Sequence, residues 1–355
     1  MIRKPAVPIL LFGLLLIGVI PLGAQTDTTP PVPKQAPHKP VFQKGMTCVP
    51  WFAGARHFRT DAGTTSLDNL ARTGTEWVAL VPGWFMENKN SSVIKPHTRK
   101  TLSDEDLIFI IDELRKRKMK ILLKPHVGCL DGTFRGEIKP ADVEAWFTSY
   151  ETFILHYADL AAEKKLEGLC IGCELGSMTI PDYKAHWEKI IARLRKRFPG
   201  FLTYAANGNP IGPAAGKYAR QRPWKYAPFW DKLDYAGIDA YFKLSRADQP
   251  TQEELKQSWQ TWAKEIEAWQ ATHGKPVLFT EIGYRITNPD IQAKSYEAAL
   301  DVLWDKLWFH GMYWWCWFAN PDRRWGMSPQ NMPALDVLKK WYTRPAPQKT
   351  TNRPR

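Results

Sequence analysis

Residues 275–284 read KPVLFTEIGY. The five residues from Pro276 to Thr280 suit the interior of a sheet, and the chain then places a carboxylate, Glu281, followed at once by Ile282 and Gly283. A charge at the end of a buried strand is costly unless it is paired or used. Upstream, residues 251–274 carry a helical apolar period that closes on Gly274, and downstream residues 292–309 carry a second one. A strand set between two helices is a βα unit, and a chain of such units builds a parallel sheet.

The same unit recurs along the chain. GMTCVPWF (45–52), EWVALVPGWF (76–85), KILLKPHV (120–127), EGLCIGCEL (167–175), FLTYAAN (201–207), LDYAGIDAYF (233–242), PVLFTEIGY (276–284) and GMYWWCWF (311–318) read as strands. Helical patterns at 65–74, 103–118, 141–165, 181–198, 251–274, 292–309 and 332–342 alternate with them, and a loop rich in proline and aromatic residues follows the fifth strand. Ser103 caps its helix, acids fill the first turn, and basic residues fill the last. Eight strands alternating with helices over residues 45–342 predict a closed (β/α)8 TIM barrel. The rival, an open doubly wound sheet, calls for a glycine-rich phosphate loop after an early strand, and CVPWFAGARH (48–57) is not one.

The chain has 355 residues, of which 44% are hydrophobic and 24% charged, the balance of a globular protein with a large core. Residues 1–24 read as a secretory signal peptide: Arg3 and Lys4, an apolar run from Ile9 to Ile20, then Ala24 before a plausible cut. The apolar run is short for a membrane span, so no stable membrane insertion is expected after cleavage; an uncleaved anchor is the alternative. Secretion or a periplasmic location follows from this reading. Residues 25–44 read as a Pro/Thr-rich linker and 343–355 as a disordered tail. The formal net charge of +13 is spread over helix faces such as ELRKRKMK (113–120) and IARLRKRF (191–198), which read as solvated faces and not as a nucleic-acid site. A monomer is expected. The five cysteines, Cys48, Cys129, Cys170, Cys173 and Cys316, do not form a disulfide scaffold. Cys170 and Cys173 are spaced C-x-x-C, but on a strand they are expected to face opposite sides, and no nearby histidine supports zinc.

Active sites of such barrels lie at the C-terminal ends of the strands. Those ends carry Trp51; Trp84, with Glu87 beyond; Lys124 and His126; Glu174; Asn207; Asp239 and Tyr241; Glu281; and Trp315 and Trp317. Asp239 and Glu87 read as structural, and Trp259, Trp262 and Trp269, on a helix, as packing. The remaining ring of acids, a histidine, an amide and aromatics suits a sugar site. Cutting a glycosidic bond takes two carboxyl groups flanking it, one protonated and one ionised. Aromatic rings cover the apolar faces of sugars while polar side chains bond their edges, and the chain has 17 tryptophans.

IGCELGSM (171–178), FTEIGY (279–284) and YWWCW (313–317) resemble clan A glycoside hydrolases, and most nearly glycoside hydrolase family 113, whose members are retaining β-mannanases. The resemblance implies that Glu174 is the general acid/base and Glu281 the nucleophile. It also implies that Tyr241 holds the nucleophile, that His126 contacts sugar near the cleavage point, and that a tryptophan of the eighth strand floors that subsite. Trp315 and Trp317 point the same way by alternation, so both are candidates, Trp315 first. Asn207, Trp51 and Trp84 complete the expected substrate contacts. One departure stands out: many clan A enzymes place Asn directly before the acid/base, where it bonds the sugar 2-hydroxyl, and here that residue is Cys173. No metal and no cofactor is expected. The expected activity is retaining cleavage of a β-linked hexose poly- or oligosaccharide, with endo-β-1,4-mannanase first. The alternatives are a β-mannosidase, glucanase or xylanase of the same clan, and a catalytically silent carbohydrate-binding barrel.

Overall fold

The computed structural model describes residues 38–50, 58–320 and 326–349. Eight parallel strands close into a barrel in the order β1 (Gln43–Cys48), β2 (Trp77–Leu80), β4 (Lys120–Leu123), β6 (Gly168–Cys173), β7 (Phe201–Asn207), β8 (Ala236–Asp239), β9 (Val277–Ile282) and β10 (Phe309–Trp317), with β10 pairing back onto β1. Helices α1 (Asp61–Ala71), α2 (Asp104–Lys116), α3 (Val143–Glu163), α4 (Lys184–Arg197), the short α5 (Pro223–Tyr226), α6 (Gln252–His273), α7 (Pro289–Leu303) and α8 (Pro333–Tyr342) alternate with the strands. The architecture is the (β/α)8 barrel that the alternation predicts.

Local chemistry explains the helix ends. Ser103 Oγ accepts from the amide of Asp106 at 3.2 Å, and Asp104, Glu105 and Asp106 fill the first turn of α2. Thr251 and Glu254 cap α6 reciprocally, and α6 stops at Gly274, whose φ of 64° is left-handed. The basic residues of α4 meet acids of neighbouring elements: Arg193 with Glu151 at 2.8 Å, Arg195 with Asp234 at 2.8 Å and Arg197 with Asp159 at 2.7 Å. Much of the positive charge on that helix is therefore locally compensated.

Two segments that read as single strands are each broken by a proline. Residues 76–85 divide into β2 and β3 (Gly83–Met86) around Pro82, and residues 120–127 divide into β4 and β5 (His126–Cys129) around Pro125. Proline offers no N–H to a ladder. Beyond each break the chain leaves the barrel, and β3 pairs with β5 in a separate two-stranded parallel sheet.

Packing also extends past the expected boundaries. The Val41 amide donates to Tyr235 Oη at 2.9 Å, and Lys44 Nζ donates to the carbonyls of Tyr342 and Arg344 at 2.8 and 2.7 Å. Lys349 Nζ reaches the carbonyls of Trp304 and Lys306 at 2.6 and 2.8 Å. Residues 38–44 and 343–349 are thus bound to the barrel; the expected signal peptide, the rest of the expected linker and the end of the expected tail lie outside the described residues.

One apolar layer fills the barrel interior and includes Trp77, Leu122, Phe201, Tyr235, Leu278 and Tyr313. A larger layer packs between the barrel and its helices. Gly45 is required where Tyr313 crosses the interior, since a Cβ there would lie 2.5 Å from the ring. Cys170 and Cys173 both join the inner layer, contrary to the expectation that they face opposite sides. The register of β6 against β7 slips between Cys170 and Cys173, and a bulge of this kind re-aims the residues that follow it.

Candidate active site

Glu174 directly follows that bulge. Its φ is +54°, its amide donates to the carbonyl of Ala205 at 2.8 Å, and its side chain is 16% exposed. A left-handed backbone costs an L-residue about 1–2 kcal/mol, so the surroundings must hold this carboxylate in place. Asn207 Nδ2, at the end of β7, donates to Glu174 Oε1 at 3.2 Å, and Arg135 Nη1 lies 3.7 Å from Oε2. Burial first, and then the charges of Asp239 and Glu281, push the Glu174 carboxyl up to about 8, against the opposing pull of Arg135 and Lys124. These surroundings favour its protonated form.

Glu281 lies in β9 with a 5% exposed side chain and a donor on each oxygen. Lys124 Nζ is 2.5 Å from Oε1, and Tyr241 Oη donates to Oε2 at 2.7 Å. His126 Nε2 lies 3.7 Å and Cys173 Sγ 3.9 Å from Oε1. The charge at the end of the buried strand is thus paired. Burial lowers the Lys124 ammonium, but the carboxylates of Asp239 and Glu281 outweigh it and raise it above its ordinary value, so it stays cationic. Removing one partner of a buried pair typically costs about 3–5 kcal/mol.

The two carboxylates belong to one cluster. An oxygen of Glu174 lies within 4.8 Å of Cys173 Sγ, the same sulfur that is 3.9 Å from Glu281 Oε1. Burial keeps Cys173 protonated, and it donates to Asp239 Oδ2 at 3.4 Å. His126, Cys173 and Glu281 offer one donor atom each within 4.8 Å of one another, as do Cys173, Glu174 and Asp239. Lys124 and Arg135 already bring positive charge to these same groups, which disfavours a further cation there.

The structure gathers Glu174, Glu281, His126, Asn207 and Tyr241. Trp315 is partly exposed, packed against Gly283, where a Cβ would come within 3.3 Å of its Cβ. Trp317 is elsewhere: it is 2% exposed, and its indole N–H reaches Ser66 Oγ and the Ser66 carbonyl at 3.0 and 3.1 Å, under α1. The register of β10 against β1 skips Cys316, so Trp315 and Trp317 do not share a face as simple alternation expects. Trp84, on β3, packs against Phe153, His156 and Tyr157 of α3 and is not brought to the carboxylates. Trp51 lies outside the described residues.

Asp239 points into the barrel and not toward a helix, bonding Lys124 at 3.4 Å and Thr280 Oγ1 at 2.7 Å. Burial and then Glu281 push it up to about 6. Glu87 pairs at 3.6 Å with Lys95 on the surface. From sequence alone Lys124 is a strand end without a role, and Arg135 has no place in the ring. A lysine among strand ends that already hold three acids is the signal for Lys124, because buried charges must pair. Arg135 comes from the loop after β5 and carries no such signal.

Residues 47–289, more than half of the chain, match the family model described as Glycoside Hydrolase Family 113. The chain is similar to a solved GH113 β-mannanase from Alicyclobacillus acidocaldarius in complex with ManMIm: 26% identity over 86% of this chain and 99% of that one, TM-score 0.72. A GH113 β-1,4-mannanase complex at 23% identity (85% of this chain, 99% of that one, TM-score 0.71) and GH5_18 from Streptomyces cattleya in complex with GlcNAc at 16% identity (87% and 83%, TM-score 0.62) share the fold. No curated protein matches the chain. With its barrel and its family match, the chain belongs to glycoside hydrolase family 113 and is a glycoside hydrolase.

Proposed function

We propose that the protein is a retaining endo-β-1,4-mannanase in which Glu281 is the nucleophile and Glu174 the acid/base. The observation that carries this is the contrast between two clustered carboxyls: burial and neighbouring acids raise Glu174, which favours its protonated form, while Glu281 faces an ammonium and a phenol. That is the division of labour a double displacement needs. Glu281 attacks the anomeric carbon as Glu174 protonates the departing oxygen; Glu174 then takes a proton from water, which releases the sugar. Tyr241 orients the nucleophile, His126 and Asn207 meet sugar hydroxyls, and Trp315 floors the subsite at the cleavage point. The β-mannanase assignment draws support from the GH113 relatives, which are β-mannanases by name. Residues 1–24 support export, and a monomer suffices for this chemistry, since each residue named comes from one chain.

The test is product analysis after incubation with mannan, glucomannan, cellulose and xylan, with the first-formed anomer followed by NMR. Short β-manno-oligosaccharides released with retained configuration are expected. An inverted first anomer, or turnover of xylan or cellulose alone, sinks the reading.

A further inference from the structure

We propose that Lys124 is the positioning residue that governs the charge on Glu281 through both halves of the reaction, and that Asp239 anchors Lys124 while Glu281 is an ester. The inference rests on the retaining-hydrolase reading above. An ammonium has three N–H donors, and Lys124 has three acceptors: Glu281 Oε1 at 2.5 Å, Asp239 Oδ1 at 3.4 Å and the Thr280 carbonyl at 3.2 Å. Its side chain is 0% exposed. All three protons are committed inside the barrel, so Lys124 acts on the sugar only through Glu281. Asp239 is fixed in turn by Thr280 Oγ1 on Oδ1 and by Cys173 Sγ on Oδ2.

The charge count changes during the cycle. In the free enzyme one ammonium stands between two carboxylates. In the first step a Glu281 oxygen bonds to the anomeric carbon, the bond to the leaving oxygen breaks with its electron pair, and that oxygen takes the proton of Glu174. Glu281 is then a neutral ester, and Lys124 with Asp239 remains as a balanced pair. In the second step water bonds to the anomeric carbon and gives a proton to Glu174, while the ester electron pair returns to Glu281, where the ammonium receives it. Without Asp239 the intermediate leaves a buried cation uncompensated. Without Lys124 the returning carboxylate keeps the Tyr241 hydroxyl but faces Asp239, a like charge, with no cation bonded to it.

The other ionisable groups around this unit are Tyr241 and His126, which face Glu281; Cys173 and Cys170, which face Lys124; and Arg135, Glu174 and Cys316, which feel the charge of Glu281. None of these groups is a second cation hydrogen-bonded to Glu281, so among the described residues Lys124 is the cation bonded to it.

The experiment titrates Glu281 by 13C NMR of enzyme labelled at the glutamate carboxyl carbons, its signal identified by loss in Glu281→Gln. Wild type, Lys124→Met, Lys124→Arg and Asp239→Asn are compared, with turnover of 2,4-dinitrophenyl β-mannobioside measured alongside. Removing the cation should move the Glu281 titration up by about one pH unit or more, and removing the anion should move it down. Lys124→Arg should stay near wild type. Lys124→Met should also lose roughly 10²-fold in kcat, as when a fixed donor is removed from a developing charge. A purely structural role would lower thermal stability in both variants without opposite shifts. Should Lys124→Met not fold, Asp239→Asn still decides. Unmoved or same-direction titrations in an enzyme that turns over the substrate overturn this inference alone. Opposite shifts in an enzyme that turns over no β-hexoside overturn the functional reading alone.

Discussion

Arg135 Nη1 lies 2.9 Å from His126 Nδ1. A guanidinium only donates, so Nδ1 accepts and the imidazole proton sits on Nε2. That nitrogen is 3.7 Å from Glu281 Oε1. Burial, then Arg135 and Lys124, hold the ring well below its ordinary titration range, so it stays neutral. One arginine thereby fixes a neutral N–H beside Glu281, the proposed nucleophile, while also lying 3.7 Å from Glu174.

Arg135→Met should therefore move the basic limb of the pH profile. Arg135 favours the ionised form of Glu174, whose carboxyl stands at about 8. Its removal raises that value, and the basic limb of kcat should move upward by roughly one pH unit. Activity at the optimum should also fall, because the His126 tautomer is no longer held. Arg135→Lys should keep most of the limb position. The measurement is kcat against pH on glucomannan; a downward movement contradicts the assignment of Glu174 as the acid.

Substitution of the two carboxylates should separate their roles. Glu281→Ala should lose roughly 10³-fold or more in kcat, since the covalent step has no other nucleophile. Azide should restore turnover of an activated aryl mannoside and give the glycosyl azide of the opposite anomer. Glu174→Ala should cost about 10²–10⁴-fold on substrates with poor leaving groups and much less on dinitrophenyl glycosides. Equal losses on both substrate types would remove the case for Glu174 as acid.

Trp315 and Trp317 should divide cleanly into function and stability. Trp317 donates to Ser66 beneath α1 and is 2% exposed. Trp317→Phe should lower stability by about 1–2 kcal/mol through the lost buried bond and leave kcat/KM near wild type. Trp315→Ala should lower kcat/KM at least about tenfold, as expected for a sugar platform, with a smaller change in Tm. Denaturant unfolding and steady-state kinetics on the two variants decide it, and the reverse pattern refutes the assignment.

What is legible in the sequence follows from what depends on short-range pattern. Strand–helix alternation is local, so the barrel and the ends of its strands can be read, and Glu174, Glu281, His126, Asn207 and Tyr241 do converge. The bulges in β6 and β10 are not legible, because one skipped residue leaves no mark in composition yet reverses the facing of Cys173 and Trp317. The strand breaks at Pro82 and Pro125 are written in the sequence, but their consequence, a β3–β5 sheet that carries Trp84 toward α3, depends on two segments meeting in space. Lys124 shows the same limit: its acids lie 115 and 157 residues away, and only barrel closure makes them neighbours.

The raised Glu174 carboxyl also predicts how stability depends on pH. Its folded value, about 8, exceeds the ordinary carboxyl value of 4.5, so between these limits the folded state holds a proton that the unfolded state releases. Stability from this group is fully present below about pH 4.5 and declines as pH rises toward 8, where the buried carboxyl must ionise. Glu174→Gln removes the titration and keeps the shape and an acceptor for Asn207. The variant should therefore match wild type near pH 4.5 and be more stable at pH 8–9, by up to about 1.4 kcal/mol for each pH unit that separates the folded and unfolded titrations of the carboxyl. Thermal melts of both proteins across pH 4.5–9 measure this directly. Parallel curves would mean that Glu174 is not the proton-bearing group, and the acid role assigned to it would fall.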